Sequence, residues 1–144
     1  MQRIDEPIIV EELFDRDIDS VWAAITEPEQ MRQWFFDNMP AFEPMVGFEV
    51  EFNVDAGGRV FLHQWRVTKV IPRRFIEYNW RYGDYKGDAL VSFELSQQNE
   101  LTKLRLTHTI TDNFQKDVPE FKRESCIGGW RHFINGRLKA YLAH

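Results

Sequence analysis

The sequence predicts an α+β fold in which one long C-terminal helix lies against one face of a curved antiparallel sheet. Between residues 48 and 110, apolar and polar residues alternate in segments joined by short turns. This period of two is typical of antiparallel strands with one face in water. From Ile127 to Tyr141, apolar residues recur at spacings of three and four, which is typical of an amphipathic helix. The apolar faces of helix and sheet must cover each other, which gives two layers.

Length and composition indicate a small soluble domain that spans residues 1–144. Apolar residues make up 43% of the 144 and charged residues 28%, as in ordinary globular proteins. No run of about 18 apolar residues is present, so we expect no membrane span. The net charge of −5 argues against a nucleic-acid partner, which requires a basic surface. No apolar segment follows Met1, and the single cysteine, Cys126, has no disulfide partner, so we expect a cytoplasmic location.

The N-terminal part of the chain predicts one strand and two short helices. Residues 7–14 are typical of a strand. Asp17 or Asp19 can cap the first helix, and Pro28 suits the first turn of the second helix. The loop that follows, residues 35–46, is rich in aromatic and methionine side chains. This loop is too apolar for a solvent-exposed connection, so we expect it to pack against the interior.

Five further strands follow this loop. They are predicted at residues 48–54, 60–71, 75–82, 89–95 and 102–110. Gly128 and Gly129 interrupt the last helix, where each glycine is less favourable than alanine by about 1 kcal/mol. Either the helix begins near them or its backbone approaches the sheet closely. We favour close approach, because Ile127 continues the apolar stripe upstream.

Several short motifs in order resemble one known family. They lie at residues 21–30 with Trp34 and Phe35, and at 47–52, 67–70, 74–80, 91–95, 102–108, 128–130 and 138–142. Together they resemble the SRPBCC superfamily with the START-like helix-grip fold. Within it, the chain is similar to the group homologous to the activator of the ninety-kilodalton heat-shock chaperone ATPase. The resemblance spans residues 8–142 and implies a sheet that wraps around the last helix, which agrees with the periodicity. Trp65 replaces the usual glycine and Asn79 the usual threonine, so an indole fills or shapes the implied cavity.

The resemblance implies a ligand cavity between the sheet and the last helix. Strand alternation, helix spacing and the apolar loop then predict the residues around it: Trp34, Phe36, Phe42, Phe61, His63, Trp65, Tyr78, Trp80, His108, Trp130, Phe133 and Ile134. Phe36, Phe42 and Met45 are placed to close its mouth, and His63, Tyr78 and His108 to serve as polar anchors. The alternative is that these aromatic side chains simply pack the core.

Three functions remain open at this point. The first is non-catalytic binding of a hydrophobic small molecule, lipid-like or aromatic, by a monomer or homodimer. The second is a chaperone-ATPase-activator-like protein interaction domain with a role in the stress response. Ten acids against three bases in residues 1–40 give a net charge of −7 there, which is a solvated face or a docking surface for a basic partner. The third is a cyclase- or hydrolase-type enzyme on the same fold.

The sequence predicts no cofactor, no metal and no catalytic residue. None of His63, His108, Cys126 and His132 has the spacing of known metal-ligand motifs. A histidine on an apolar strand face is more often a core residue than a catalyst. No serine triad or phosphate-loop motif is present.

Overall fold

The computed structural model describes residues 6–56, 58–114 and 118–143 and contains one six-stranded antiparallel sheet. The strands are β1 (Ile8–Phe14), β2 (Glu49–Asp55), β3 (Val60–Ile71), β4 (Phe75–Tyr82), β5 (Asp88–Gln98) and β6 (Leu101–Asp112). Their order across the sheet is β1-β6-β5-β4-β3-β2. The predicted α+β fold with a curved antiparallel sheet is therefore confirmed.

The helices also lie where the sequence predicts them. They are α1 (Ile18–Thr26), α2 (Pro28–Trp34) and α3, and a 3₁₀ turn (Pro119–Phe121) precedes α3. The helix α3 is α-helical over Arg123–Arg131, π-helical over His132–Leu138 and α-helical again over Lys139–Tyr141. The backbone N–H of Ser20 donates to Asp17 Oδ1 at 2.8 Å, so Asp17 is the N-cap of α1. Pro28 is the first residue of α2, as expected. No helix of the described residues is long and apolar enough to cross a membrane.

Side chains of α3 cover the outer edge of β1. Asn135 Nδ2 donates to the Glu11 carbonyl oxygen at 3.0 Å. Lys139 Nζ donates to the carbonyl oxygen of Leu13. Unpaired backbone groups at a sheet edge invite pairing with other chains, and these two bonds block that pairing at β1. They also fix α3 across the sheet.

The core lies between the sheet and α3, because buried residues alternate along each central strand. On β4, Ile76 and Tyr78 are buried while Glu77 between them is only half-buried. The buried residues of α3 are Trp130, Ile134 and Leu138, at the predicted spacing of four. The interior of the protein is therefore the space in which the sequence places the candidate site.

The close approach expected at Gly128 and Gly129 is wrong. Both glycines lie within α3, and a Cβ atom built on either one meets no neighbouring atom within 4 Å. The helix begins at Arg123, so neither glycine starts it. No packing constraint in the described residues requires these glycines.

Replacing Gly128 or Gly129 by alanine should therefore stabilise the protein. Alanine is favoured over glycine in a helix interior by about 1 kcal/mol, and the added methyl group enters open space. Urea unfolding should show an increase of roughly 0.5–1 kcal/mol for each variant. Gly87→Ala is the opposite control, because Gly87 has φ +120° and its Cβ would lie 2.2 Å from Phe114. A loss of stability at Gly129→Ala would restore the close-approach interpretation.

Candidate functional site

The aromatic run at the end of α2 turns into the interior of the protein. Trp34 is fully buried, and its Nε1 donates to the Ala24 carbonyl oxygen at 2.8 Å. Its ring stacks on Phe35 with centroids 4.6 Å apart and planes within 2°. Phe35 ends α2 with φ −105° and ψ −105°, a non-helical conformation that directs the chain across the sheet. This bend places two consecutive rings in the core.

Phe35 is the centre of the interior, although the sequence did not single it out as a site residue. It is 2% exposed. Its ring lies between the sheet and α3, with centroids 4.6–6.5 Å from those of Trp34, Phe36, Trp65, Trp80, Phe93, Trp130 and Phe133. Phe52 was also missed, although its strand was predicted, and it lies 5.0 Å from Trp65. The run 34–36 was the available signal, but periodicity alone cannot place neighbouring rings on the same side.

Indole and phenol rings line the wall formed by β3 and β4. Trp65 lies 4.8 Å from Tyr78 and 4.7 Å from Trp80, measured between ring centroids. Trp65 and Tyr78 are 2% and 1% exposed. The indole that replaces the family's usual glycine is therefore packed inside the protein. It occupies interior space beside Tyr78 and Trp80.

The predicted site residues form one connected set of contacts. Phe36 lies 5.2 Å from His63 and 5.2 Å from Phe133. Phe42 packs edge-on against Tyr78 at 5.7 Å. Trp130 lies 5.4 Å from Trp80.

Three of the expected residues have a different position from the others. Ile134 lies on α3 and is fully buried, and it has no aromatic ring to join the ring contacts. Phe61 lies in a second cluster with Tyr82, Tyr85 and Phe121 near the 3₁₀ turn. Met45 is 57% exposed, so it packs little against the interior.

Two neutral histidines lie in this interior. His63 Nδ1 lies 3.1 Å from the Phe61 carbonyl oxygen, and burial lowers the pKa of His63 to about 4. Trp130 Nε1 donates to His108 Nδ1 at 2.8 Å. Burial and then the charge of Arg123 lower the pKa of His108 to about 4. Each imidazole is therefore uncharged at neutral pH and can act as a hydrogen-bonding group of an apolar site.

The aromatic loop, defined as residues 35–46, is held at residues 38–40 by side-chain hydrogen bonds. Arg32 donates from Nε to the Met39 carbonyl oxygen at 2.7 Å and from Nη2 to the Pro40 carbonyl oxygen at 3.2 Å. Asn38 Nδ2 donates to the Asn53 carbonyl oxygen at 2.6 Å. The rings of Phe35, Phe36 and Phe42 therefore belong to an irregular segment that lies over the sheet.

The opposite face of the sheet carries an open polar groove of about 420 Å³. It is lined by Glu49, Val50, Glu51, Gln64, Trp65, Arg66, Asn79 and Arg81. Apart from Trp65, which it shares, the groove is lined by none of the site residues expected from the sequence and by no residue of α3. No group of three or more potential metal ligands is found in the part of the chain that the structure describes.

Known structures share this architecture. Mll3558 from Rhizobium loti is 19% identical with a TM-score of 0.82, over 98% of this chain and 100% of that chain. The Aha1 dimer from Colwellia psychrerythraea is 19% identical with a TM-score of 0.72, over 96% of each chain. DynU16, a protein of the dynemicin biosynthetic locus, is 25% identical with a TM-score of 0.76 over 96% of this chain. This chain spans 48% of the length of DynU16.

Comparison of sequences gives the family. No curated protein matches the chain closely enough to count as a relative. Residues 15–143 match the sequence profile of the family described as Activator of Hsp90 ATPase homolog 1-like protein. The match covers α1 to the end of α3, which are the elements that carry the resemblance noted in the sequence. The chain therefore belongs to the Activator of Hsp90 ATPase homolog 1-like protein family.

Proposed function

We propose that this protein binds a hydrophobic or aromatic small molecule between the sheet and α3, without chemical turnover. The observation that carries the proposal is the origin of the rings that fill the interior. Phe35, Phe36 and Phe42 come from the aromatic loop, whereas the walls around them come from the sheet and from α3. A segment without helix or strand can move without breaking the sheet or the helix.

Few of the side-chain hydrogen bonds in the described residues hold the aromatic loop. Three of them, two from Arg32 and one from Asn38, fix residues 38–40. Each such bond contributes about 0.5–1.5 kcal/mol net. To bind with net affinity, a ligand must bury more apolar area than the loop side chains that it displaces, which include Phe35, Met39 and Phe42. Movement of the loop then exposes a pocket with apolar walls and few polar groups, which is the usual character of a small-molecule site.

The remaining site residues take roles that follow from their positions. Trp65, Trp80 and Trp130 are buried rings that would face a ligand from the sheet and from α3. His63 and His108 are uncharged and would offer hydrogen bonds without placing a charge in an apolar space. These properties favour binding over acid–base chemistry at this site.

Loosening the aromatic loop should make ligand binding faster. We expect Arg32→Ala to increase the association rate of flavone several-fold, because it removes both guanidinium bonds to the loop. It should lower the free energy of unfolding by about 1–2 kcal/mol. Stopped-flow quenching of tryptophan fluorescence measures the rate, and a rise in Tm with flavone confirms binding.

Arg74→Ala is the matched control for this experiment. Arg74 is exposed in the turn between β3 and β4, away from the aromatic loop. It should leave the association rate of flavone unchanged. If hydrophobic and aromatic probes, including oleate and flavone, neither raise Tm nor quench fluorescence in any of these proteins, the packed core is the correct interpretation.

A second candidate function is contact with a protein partner, such as a chaperone. The family is named for an activator of the Hsp90 ATPase, and acidic side chains lie on and beside α1 and α2. They are Asp15, Asp17, Asp19, Glu27 and Glu29. Salt-sensitive binding to a purified chaperone of this class favours this candidate. We keep the cytoplasm as the proposed location, and a monomer or homodimer as the proposed assembly.

Enzymatic turnover is a third candidate with a specific argument of its own. DynU16, to which this chain is similar, is a protein of a biosynthetic locus. A cyclase or hydrolase in this chain would use neutral His63 as its base, because the His108 Nδ1 lone pair already accepts from Trp130, and His108 would act as a donor. Loss of turnover in His108→Ala, with the fold retained, would favour this candidate.

A further inference from the structure

Three buried polar atoms of the interior have no hydrogen-bond partner among the described residues. They are Trp65 Nε1, Tyr78 Oη and His108 Nε2. All three residues are more than nine-tenths buried, and all were predicted to face the cavity. Buried polar groups are nearly always paired in folded proteins, so three unpaired atoms in one interior require an explanation.

All three atoms can donate a hydrogen bond, and the Tyr78 hydroxyl oxygen can also accept one. The indole N–H of Trp65 can only donate. His108 Nδ1 already accepts the bond from Trp130, so the proton of the neutral ring resides on Nε2. Burial raises the pKa of Tyr78 well above its ordinary value, so the phenol keeps its proton.

No matching acceptor faces these donors in the part of the chain that the structure describes. The one other unpaired buried side-chain atom found there is Glu120 Oε1, whose carboxylate lies 3.5 Å from Arg59 outside the aromatic interior. The described residues therefore leave three buried donors without an acceptor. The missing partners are acceptor atoms.

Two of the three unpaired donors belong to neighbouring side chains, Trp65 and Tyr78. Their rings lie 4.8 Å apart on neighbouring strands. Phe42 of the aromatic loop packs against Tyr78 at 5.7 Å, and Phe35 stacks on Trp65 at 5.5 Å. Displacement of the aromatic loop would therefore uncover these two rings together, and each of them carries one of the unpaired donors.

We infer that the ligand is a flat aromatic molecule with oxygen acceptors, such as an aryl ketone, which Trp65 Nε1 and Tyr78 Oη recognise. This inference rests on the proposed binding function and narrows its ligand class. A plain hydrocarbon leaves both donors unpaired, and a cation has no acceptor to offer them. Planar aromatic surfaces match the stacked and edge-on rings that line the site.

Pairs of probes with the same rings test the inference directly. Flavone carries two acceptor oxygens and no donor, and 2-phenylnaphthalene has the same ring outline without oxygen. Fluorenone and fluorene form a second pair. Dissociation constants come from quenching of tryptophan fluorescence, with thermal unfolding as an independent measure. We expect the ketone of each pair to bind about tenfold more tightly to the wild-type protein. A tenfold ratio of dissociation constants corresponds to the net free energy of one or two hydrogen bonds.

Tyr78→Phe removes one donor and keeps the ring. We expect the preference for the ketone to fall several-fold in this variant, and Tm without ligand to stay equal or rise, because an unpaired buried hydroxyl is removed. Tyr85→Phe is the control. Tyr85 lies in the second cluster against Phe61 and Phe121, so this variant should keep the wild-type preference.

The outcomes separate this inference from the proposed function. Equal affinity for both members of each pair, or a preference that Tyr78→Phe leaves unchanged, overturns acceptor recognition while ligand binding stands. Absence of binding by all four probes overturns the inference, and absence of oleate binding as well overturns the proposed function. A tenfold preference that Tyr78→Phe reduces and Tyr85→Phe retains supports the inference.

Discussion

Replacing Phe35 by alanine is expected to lower the free energy of unfolding by about 3–5 kcal/mol. It is also expected to create affinity for single-ring aromatic molecules such as benzene. Phe35 is 2% exposed, and its ring contacts rings from the sheet, from α3 and from the aromatic loop. Truncation therefore removes buried surface and leaves a space that the surrounding rings cannot fill without moving. Urea unfolding measures the loss of stability.

The gain of affinity follows from the same space. A cavity with apolar walls stays dry and can bind a small aromatic molecule such as benzene. We expect benzene to raise the Tm of Phe35→Ala and to leave the wild-type Tm unchanged. Flavone should also bind the variant more tightly than the wild-type protein, because one ring of the aromatic loop no longer has to be displaced.

Phe14→Ala separates the site from an ordinary core position. Phe14 is 1% exposed at the end of β1, and its ring lies near Lys139 rather than in the aromatic interior. It should lose a similar amount of stability. An equal gain of flavone affinity in Phe14→Ala, or none in Phe35→Ala, argues that Phe35 is a core residue without a role in ligand access.

The sequence predicted the fold closely because periodicity reports directly on burial. The strand ended by Pro72 is predicted at residues 60–71, and β3 spans Val60–Ile71. The spacing of Trp130, Ile134 and Leu138 likewise placed the buried side of α3 correctly. In regular elements, the angle between successive side chains is fixed, so each apolar residue can be assigned to a face.

The interior was harder to predict, because its central residue lies outside the regular elements. The backbone of Phe35 departs from helical geometry, so no fixed angle relates its side chain to that of Trp34 or Phe36. The position of Met45 was mispredicted for the same reason. Its residue type suggested contact with the interior, but it is exposed. The unpaired donors of Trp65 and Tyr78 are also invisible in sequence, since pairing depends on what lies opposite in three dimensions.

Acid is expected to destabilise the protein between pH 6.5 and pH 4, by up to about 3 kcal/mol for each of His63 and His108. Burial lowers the pKa of each ring from 6.5 to about 4 in the folded state. Between these values, the unfolded chain binds protons that the folded protein does not bind. Stability is therefore fully present above pH 6.5 and is lost as the pH falls through this window, which urea unfolding at a series of pH values measures.

The carboxylates do not explain a loss in the upper part of this window. Hydrogen bonds from Arg105 and Lys103 lower the pKa of Glu11 below 4.5, so its contribution is present above that pH and is lost only below it. His63→Gln should therefore remove about half of the slope between pH 6.5 and pH 5. His132→Gln should leave the slope unchanged, because His132 is exposed on α3. A wild-type slope near zero in this range would mean that water reaches both imidazoles, and the interior would then be too wet for the apolar site proposed for it.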